Sequence, residues 1–430
     1  MTVIKPSIAP PINNGSATRL LLDTIFEAID DVDQQLRTLN NLVELTYILI
    51  HDNPETCYQE FEAHKNITSF LTSQGLRVTP HAYGLATSFL AEHGSGGRLV
   101  TFCAEYDALK EIGHACGHNL IATSSIAAFL GVVTAIKASK APGRVRLLGC
   151  PAEEGGGGKI KLIQAGAFKD VDAALMLHPT PPIPAGHLDG VSYGTSLAAC
   201  HFNATFTGKA AHAGAMPWLG INALDAASLS YSAVAMLRQQ IRPTDRINII
   251  IREGGLSSNI ITEKTTVEAG ARSATLKEML SLRDRVKKCL EGAAMATACQ
   301  VEIKEEMEPY AELRPNEALC SDFADTMRET FDQKYYCDLR SREEGGYSTD
   351  MGNVSYECPS FHASFCVPVR PGETIHGPGF VRAAGTTEAH QAAVKAAKGM
   401  SATGWRVLVD NDFANQVRED FEHDKLSRLG

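Results

Sequence analysis

Apolar residues recur at three- and four-residue steps near the start of the chain, a spacing that is typical of an amphipathic helix. The series begins after Ser16 and comprises Leu21, Ile25, Ile29, Val32, Leu36, Leu39, Val43 and Tyr47. It predicts one or two helices that pack against the rest of the protein. Residues 1–16 lack this periodicity, and we expect them to form a flexible leader.

Between residues 98 and 178, short apolar runs alternate with helical patterns. The runs are RLVTFCAEYDAL (98–109), RVRLLGC (144–150) and VDAALMLH (171–178). The intervening helices are marked by Ala122, Ile126, Leu130 and Val133 and by a shorter pattern over residues 158–165. Strands with fully apolar centres that alternate with helices predict an α/β domain whose sheet is covered by helices on both faces.

The pattern changes near residue 190, where polar and apolar residues begin to alternate in ACHFNATFTG. Further strand patterns cover 246–251, 265–273 and 300–307, with helical patterns over 222–239 and 275–297. This order predicts an inserted α+β unit of about four strands and two helices. A helix over 316–334, a strand over 361–366 and a helix from Thr386 to Lys398 follow. We therefore predict a discontinuous main domain, residues 17–188 with 311–430, and an insert, residues 189–310.

Composition narrows the classes of protein to which the chain can belong. At 430 residues the chain exceeds what one hydrophobic core usually organises. Its formal net charge of −10 disfavours nucleic acid as a partner. The 11 cysteines are an odd number without any C-x-x-C spacing, which favours reduced thiols and a cytoplasmic setting. No uninterrupted apolar run is long enough to predict a membrane span.

The densest group of chemically capable residues is AEYDALKEIGHACGHN. Glu105 and Asp107 leave a predicted strand, and Cys116 and His118 stand where a helix begins. Cysteine, histidine and carboxylate together are typical metal ligands, and we expect the helix N-terminus to lower the pKa of Cys116 towards the thiolate. The alternative is a buried cysteine beside a histidine that caps the helix.

A second acidic group, CPAEEGGGG, places Glu153 and Glu154 just after an apolar strand. Adjacent residues of an extended chain point in opposite directions, so one carboxylate can bind a metal while the other takes a proton from water. An acidic pair at a helix start is the alternative. The glycines do not form a nucleotide-binding loop, because Gly158 and Lys159 are followed by isoleucine rather than Ser or Thr.

Two single histidines complete the candidates in the main domain. His178 closes the strand AALML, and His376 lies between glycine and proline residues in a loop before the last helix. Each alone is more typical of a structural or surface histidine. Their position after strands of the same domain as Cys116 and the acidic pair makes a joint metal site the stronger hypothesis.

The insert contributes three more candidates. His212 lies in a small-residue turn ahead of a helix, where an imidazole could stabilise an oxyanion. Asn259 and Arg272 are the best candidates for holding a substrate carbonyl or carboxylate, since arginine offers a bidentate fork. In isolation, His212 could equally be an ordinary loop histidine, and Asn259 and Arg272 are more typical of ordinary surface groups.

Taken in order, these segments resemble a known family. The matching segments are EYDAL, GHACGHN, PAEEGGGGK, ALMLHP, GKAAHAGAMPWLGINALDA, YSTDMGNVSYE and IHGPGF. They are similar to the co-catalytic dizinc aminoacylase and carboxypeptidase family, nearest to its β-alanyl-lysine (Xaa-Arg) dipeptidase-like branch. The resemblance spans residues of about 100 to 400 and implies a mixed-sheet α/β catalytic domain with an inserted α+β lid that often forms dimers.

The resemblance also implies a role for each candidate. The implied metal ligands are Cys116, His118, Glu154, His178 and His376. Glu153 would be the general base, Asp107 would orient a ligand, and His212 would reach the active site of a partner subunit. Asn259 and Arg272 would hold substrate. The implied cofactors are two divalent ions, zinc first, with manganese or cobalt as alternatives.

The resemblance implies metal-dependent hydrolysis of an amide bond in a dipeptide or an N-acyl amino acid by a homodimer. Lys110 and Gly377 depart from the pattern of the branch near the mouth of the site, which leaves the substrate open. Glu105 stands where more distant members have a ligand histidine, and neither it nor Asp350 receives a role.

Two alternatives remain open at this point. Cys116 could be the nucleophile of a thiol amidase, served by His114 or His118. The chain could also be a non-catalytic relative that binds a metal or a ligand, although such a protein has no need of Glu153 beside Glu154.

Overall fold

The computed structural model describes residues 16–38, 49–183, 187–339 and 345–428. The predicted leader up to residue 15 and the apolar series from Leu39 to Tyr47 lie outside the described residues. The helices are α1 Ser16–Thr38, α2 Leu49–Asp52, α3 Phe61–Ser73, α4 His118–Ser139, α5 Gly158–Gln164, α6 Ala223–Leu237, α7 Leu276–Ala296, α8 Glu317–Phe331, α9 Met351–Glu357, α10 Pro378–Ala384, α11 Thr387–Val409 and α12 Asn411–Ser427.

The strands belong to two separate sheets. They are β1 Arg77–Pro80, β2 Phe89–Ser95, β3 Leu99–Ala104, β4 Gly143–Gly149, β5 Ala173–Thr180, β6 Gly190–Val191, β7 Ala198–Thr207, β8 Arg246–Glu253, β9 Lys264–Ser273, β10 Gln300–Glu305, β11 Tyr335–Tyr336 and β12 Ser360–Cys366. The main sheet has eight strands in the order β1-β2-β4-β3-β5-β12-β6-β11. Its centre, β4-β3-β5-β12, is parallel, and β2 and β6 flank it antiparallel.

Helices cover both faces of the main sheet, which confirms the predicted α/β class. On one face α1, α4 and α11 pack together over Phe102, Leu175 and Phe361. On the other face α5 and α9 cover a smaller apolar cluster that includes Leu148 and Met176. The two-sided cover explains why the central strands are apolar at every position rather than at alternate ones.

Helix α4 is buried on every side rather than along one apolar face, because α1 and α11 enclose it. By length and composition alone it could cross a membrane, but 94% of its most apolar window is buried inside the protein, as in the core helix of a folded domain. Its N-terminus points to the same edge of the sheet at which β3, β4 and β5 end, and it thereby places Cys116 and His118 there.

The residues predicted as the insert contain a second sheet of four antiparallel strands, in the order β10-β7-β9-β8. Helices α6 and α7 pack on one face of it around Phe202, Val267 and Leu282. One detail of the predicted boundary is wrong, because β6 pairs with β12 and β11 of the main sheet. The chain leaves the main sheet after Val191 and not at residue 188.

The end of the chain is more helical than the sequence pattern predicts. The last predicted helix runs on to Val409, and α12 follows after Asp410, whose side chain accepts hydrogen bonds from the backbone N–H groups of Asp412 and Phe413. Helix α12 is largely polar and buries only Phe413, Ala414 and Val417. Its apolar signal is therefore too weak to identify the helix from sequence.

Candidate metal centre and active site

The predicted site residues gather at the carboxyl edge of the parallel strands. Glu105 and Asp107 follow β3, the pair Glu153 and Glu154 follows β4, and His178 lies near the end of β5. Because β4, β3 and β5 are neighbours in the sheet, these segments converge, as ligand sites do in open α/β sheets. The start of α4 supplies Cys116 and His118 from above the same edge.

The thiol of Cys116 is at the centre of the group. Its Sγ lies 3.4 Å from Nε2 of His178 and 3.4 Å from Nε2 of His376. The backbone N–H of His376 donates to the carbonyl oxygen of Ala115 at 2.8 Å. This hydrogen bond holds the His376 loop against the segment that precedes α4. His376 Nε2 also lies 3.7 Å from Oε1 of Glu154. Four predicted ligands therefore surround one small volume.

Asp107 organises two of these ligands at once. Its Oδ1 lies 3.0 Å from Nδ1 of His118, and its Oδ2 accepts a hydrogen bond of 2.9 Å from the backbone N–H of Glu154. Although burial raises the pKa of Asp107, His118 and this backbone N–H outweigh it and hold the pKa below its usual value. The contact with Nδ1 leaves Nε2 of His118 facing the centre, as the orienting role predicted for Asp107 would require.

The segment that carries Glu153 and Glu154 is a tight turn and not the extended chain assumed from the sequence. Ala152 has a positive φ of 60°, and a Cβ at Gly158 would lie 1.7 Å from the carbonyl oxygen of Pro151. Tyr310 braces this turn, because its hydroxyl donates to the carbonyl of Glu153 at 2.7 Å and accepts from the N–H of Gly157 at 3.0 Å. Both carboxylates consequently face the same centre.

Burial governs the ionisation of the group. Burial, followed by the carboxylates of Glu105 and Glu154, raises the pKa of Glu153 well above its usual range. Burial also raises the pKa of Cys116, so the predicted lowering by the helix N-terminus is wrong: the buried thiol lies close to Glu153 and Glu154. Burial and the neighbouring His362 lower the pKa of His178 to about 3, which keeps its imidazole neutral.

The donor atoms fit two divalent ions. Ligand atoms of Cys116, His118 and His178 lie within 4.8 Å of one another, and so do those of Cys116, Glu154 and His376, with Cys116 common to both sets. Nε2 of His118 and Oε1 of Glu154 are buried without a hydrogen-bond partner among the described residues. Buried acceptors that face each other are costly unless a cation compensates them, and sulfur, imidazole and carboxylate are suitable zinc ligands.

A cavity of about 980 Å³ extends from this centre to the second sheet. Its lining includes Glu153 and His178 at one end and Arg272 of β9 at the other. Arg272 is half-buried and its Nη1 donates to Oγ of Ser348 at 2.7 Å. The structure therefore brings the predicted substrate-binding arginine into the same cavity as the predicted metal ligands.

His212 and Asn259 do not line this cavity. Both are exposed on the second sheet's unit, where they lie close together: the N–H of Ala213 donates to the carbonyl of Asn259 at 3.0 Å. The backbone N–H groups of Gly214 and Ala215 donate to Nδ1 of His212, both at 3.1 Å. These contacts fix one ring nitrogen of His212, which lies outside the cavity that holds the metal centre of its own chain.

Three residues at or beneath the site were not identified as site residues from the sequence. Lys159 is fully buried below the centre, Tyr310 braces the glutamate turn, and His362 lines the cavity beside His178 with a ring-centroid distance of 5.8 Å. Their local sequences are ordinary: Lys159 lies in a first helical turn, Tyr310 follows a proline, and His362 lies within a strand. Only the pairing of β12 with β5 could have placed His362 near His178.

Comparison with known proteins is consistent with this geometry. The family model described as peptidase family M20/M25/M40 matches residues 101–379. Xaa-Arg dipeptidase of Mus musculus is 35% identical over 98% of this chain and 96% of its own length. N-acetyl-L-cysteine deacetylase of Bacillus subtilis is 28% identical, over 59% of this chain and 65% of its own. A dinuclear metal-binding M20 peptidase of Bacillus subtilis shares the fold, with a TM-score of 0.62 at 20% identity over 86% of this chain and 98% of its own.

The contacts of Asp107 give a direct test of the metal centre. Asp107→Asn keeps the size of the side chain but replaces an oxygen that faces His118 or the Glu154 N–H with an NH₂ group. We expect the affinity for zinc to fall roughly 10- to 100-fold, because the tautomer of His118 and the position of Glu154 are no longer fixed. Competition with a chromophoric chelator measures the change.

Asp172→Asn is the matched control, since Asp172 accepts a 2.8 Å hydrogen bond from the N–H of Leu99 at the far end of β3. An affinity that falls equally in both variants would indicate a general loss of packing rather than a role for Asp107.

Proposed function

The chain belongs to the peptidase family M20/M25/M40, and from this premise we propose that it hydrolyses dipeptides that end in a basic residue. Hydrolysis of an amide bond in a dipeptide or an N-acyl amino acid is the activity of its relatives, and the chain is a hydrolase of this type. The observation that carries the proposal is the pair of ligand sets that share Cys116, with Glu153 beside them.

The metals that fit best are two zinc ions, with manganese or cobalt as alternatives, because the donors are sulfur, imidazole and carboxylate. When bound, they supply Lewis acidity that polarises the substrate carbonyl and lowers the pKa of a water. Cys116, His118 and His178 would hold one ion, and Cys116, Glu154 and His376 the other.

Glu153 is the group best placed to move the proton. Its Oε2 lies 3.9 Å from Nε2 of His118, and it is buried at the wall of the cavity. Burial and neighbouring carboxylates raise its pKa. Two bound cations would oppose this shift, and the ionised carboxylate would then take a proton from water and pass it to the departing nitrogen. Tyr310 limits the movement of this turn through the carbonyl of Glu153.

Glu153→Gln tests this role. The variant keeps the size of the side chain but cannot accept the proton, and we expect a loss in kcat of about 10²- to 10⁴-fold with both metals retained. Hydrolysis followed by released amine, together with metal analysis of the same sample, measures both quantities. A variant with unchanged kcat would exclude Glu153 as the base.

The same assay distinguishes the proposed metal-dependent hydrolase from the thiol-amidase alternative. An enzyme that uses Cys116 as its nucleophile keeps its activity after exhaustive chelation, whereas the proposed hydrolase loses it and regains it with added zinc. Burial raises the pKa of Cys116, which also disfavours a free thiolate nucleophile.

The second sheet offers groups for recognising a charged substrate. On β9, Arg272 and Glu268 are four residues apart on the face opposite the helices, and both line the cavity. Four residues of a strand span ~13 Å between Cα atoms, a distance that their side chains and a bound substrate can bridge. We propose that Arg272 binds the terminal carboxylate. Glu268, whose Oε2 accepts a hydrogen bond from Arg252, would bind the basic side chain through its other oxygen, with Glu306 nearby. The similarity to Xaa-Arg dipeptidase supports this substrate class.

Glu268→Gln tests recognition of the charge. We expect KM for a dipeptide that ends in arginine to rise roughly 10-fold, the value of a lost charged hydrogen bond, while kcat changes little. The matching substrate that ends in citrulline, which has a neutral side chain of the same shape, should be unaffected.

Glu302→Gln is the control, because Glu302 is an exposed carboxylate on β10 of the same sheet and does not line the cavity. An equal effect of Glu268→Gln on both substrates would mean that Glu268 does not bind the positively charged side chain of the substrate.

The exposed apolar surface of the second sheet's unit supports a homodimer. It surrounds the edge strand β8 and the turn that carries His212, and includes Met216, Trp218, Leu219, Tyr231, Ile251, Leu256 and Ile260. Trp218 is 75% exposed and Leu256 97% exposed, which is unusual for large apolar side chains unless a partner covers them. We propose that a second copy of the chain packs here and that His212 and Asn259 enter its active site.

A mixed dimer tests this arrangement. Glu153→Gln and His212→Ala chains, co-expressed with different tags and purified as a pair, contain one intact site if His212 acts across the interface. We expect about half of the wild-type kcat per dimer, although each variant alone is nearly inactive. A pair without activity would place His212 in the site of its own chain, and failure to form a pair would argue against the dimer.

We further propose a cytoplasmic location. The proposal rests on the 11 cysteines, which are free thiols in the structure.

A further inference from the structure

Lys159 is a buried cation directly beneath the metal centre. It is 0% exposed, and its Nζ donates to Oε1 of Glu105 and, at 2.6 Å, to Oδ1 of Asp350. The backbone N–H of Lys159 donates to Oδ2 of Asp350 at 2.8 Å. A buried ammonium group is tolerated only when carboxylates pair with it, so this network is rigid. It fixes the orientation of the Glu105 carboxylate.

The other oxygen of Glu105 faces the metal centre. Oε2 is buried, has no hydrogen-bond partner among the described residues, and lies 3.5 Å from Nε2 of His118. This distance is longer than the ~2.7–2.9 Å of a charge-assisted hydrogen bond. Metal binding requires Nε2 to be deprotonated, and Glu105 Oε2 and His118 Nε2 are then two acceptors that face each other. Such a contact is repulsive unless a cation lies beside both atoms.

Two predicted ligand atoms lack a hydrogen-bond partner in the same way as Glu105 Oε2. Nε2 of His118 and Oε1 of Glu154 are likewise buried without a partner among the described residues. Ligand atoms of Glu105, His118 and Glu153 also lie within 4.8 Å of one another. A purely structural ion pair would leave no reason for Glu105 to hold one oxygen out of the network and point it at this volume.

We propose that Glu105 is a further metal ligand, on the ion that His118 and His178 hold, and that Lys159 is the positioning residue that aims it. The inference rests on the proposed metal-dependent function and adds a sixth protein ligand to the five that the resemblance implies. Lys159 holds Oε1, and Oε2 would bind the ion. Asp350 completes the charge balance around Lys159 without facing the ion.

Glu105→Gln is the decisive variant, because Lys159 dictates the orientation of the new amide. The ammonium group binds the amide oxygen, and the NH₂ group, which cannot ligate a metal, then points to His118. We expect one zinc ion to bind roughly 10- to 100-fold more weakly and the other to bind as in the wild type. Chelator competition on the full-length protein gives the two affinities, and metal analysis gives the number of ions per chain.

Asp350→Asn is the matched control, since it removes one negative charge from the same buried network but no oxygen that faces the ion. We expect both zinc ions to bind, with a loss of affinity much smaller than in Glu105→Gln. The cobalt-substituted proteins provide a second readout: the visible absorption bands should change in Glu105→Gln and remain the same in Asp350→Asn.

Unchanged zinc affinity and an unchanged cobalt spectrum in Glu105→Gln would overturn the proposal and leave Lys159 with a structural role only. If Glu105→Gln does not fold, Glu105→Asp replaces it: the shorter carboxylate withdraws the oxygen, and unchanged zinc affinity there would also refute the proposal. Failure of the proposed function looks different, because the wild type would then neither bind two ions nor hydrolyse any dipeptide.

Discussion

The structure depends on the burial of carboxylates that repel one another at the end of three parallel strands. Glu105, Asp107 and Asp350 are almost completely buried, Glu153 is nearly so, and Glu154 closes the group. Lys159 is the buried lysine that faces two of them, and a single ammonium group cannot balance five carboxylates. Two divalent cations would restore the balance, so metal binding and the stability of this edge of the sheet are coupled.

The same constraint determines how the backbone carries the group. A carboxylate pair can face one centre only if the chain turns sharply after β4, and the positive φ at Ala152 together with the close approach of Gly158 to Pro151 makes that turn. The turn is braced from outside by the hydroxyl of Tyr310 and by Glu60, whose Oε1 accepts from the N–H of Ala152 at 2.9 Å. The surrounding protein thus compensates for a backbone that a residue with a side chain rarely adopts.

The sequence predicted those parts of the site in which each residue lies next to its own strand. Glu105, Asp107, Glu153 and His178 follow or end apolar strands, and parallel strands bring their carboxyl ends together, so local patterns were sufficient. The role of Lys159 could not be predicted from the sequence, because a lysine in a first helical turn is normally solvated. Lys159 is buried only by tertiary packing. The pKa of Cys116 was predicted in the wrong direction, since a helix terminus is a weaker influence than burial beside carboxylates. His362 enters the cavity only through strand pairing across nearly two hundred residues.

The two ends of the cavity differ in how freely they can change. At the metal end, the side chains share contacts: Asp107 accepts from the N–H of Glu154, and Cys116 and Glu154 both contact His376. A substitution at one of these residues therefore displaces the others. On β9, residues 267, 269 and 271 face the helices, while Glu268, Gly270 and Arg272 lie on the opposite face and are only partly buried; Glu268 and Arg272 line the cavity. Because strand positions alternate, these three can vary without disturbing the core behind them. Gly270 illustrates the limit, since a Cβ there would lie 3.0 Å from the ring of His201. A fixed hydrolytic centre can therefore be combined with different substrates through one strand of the second sheet.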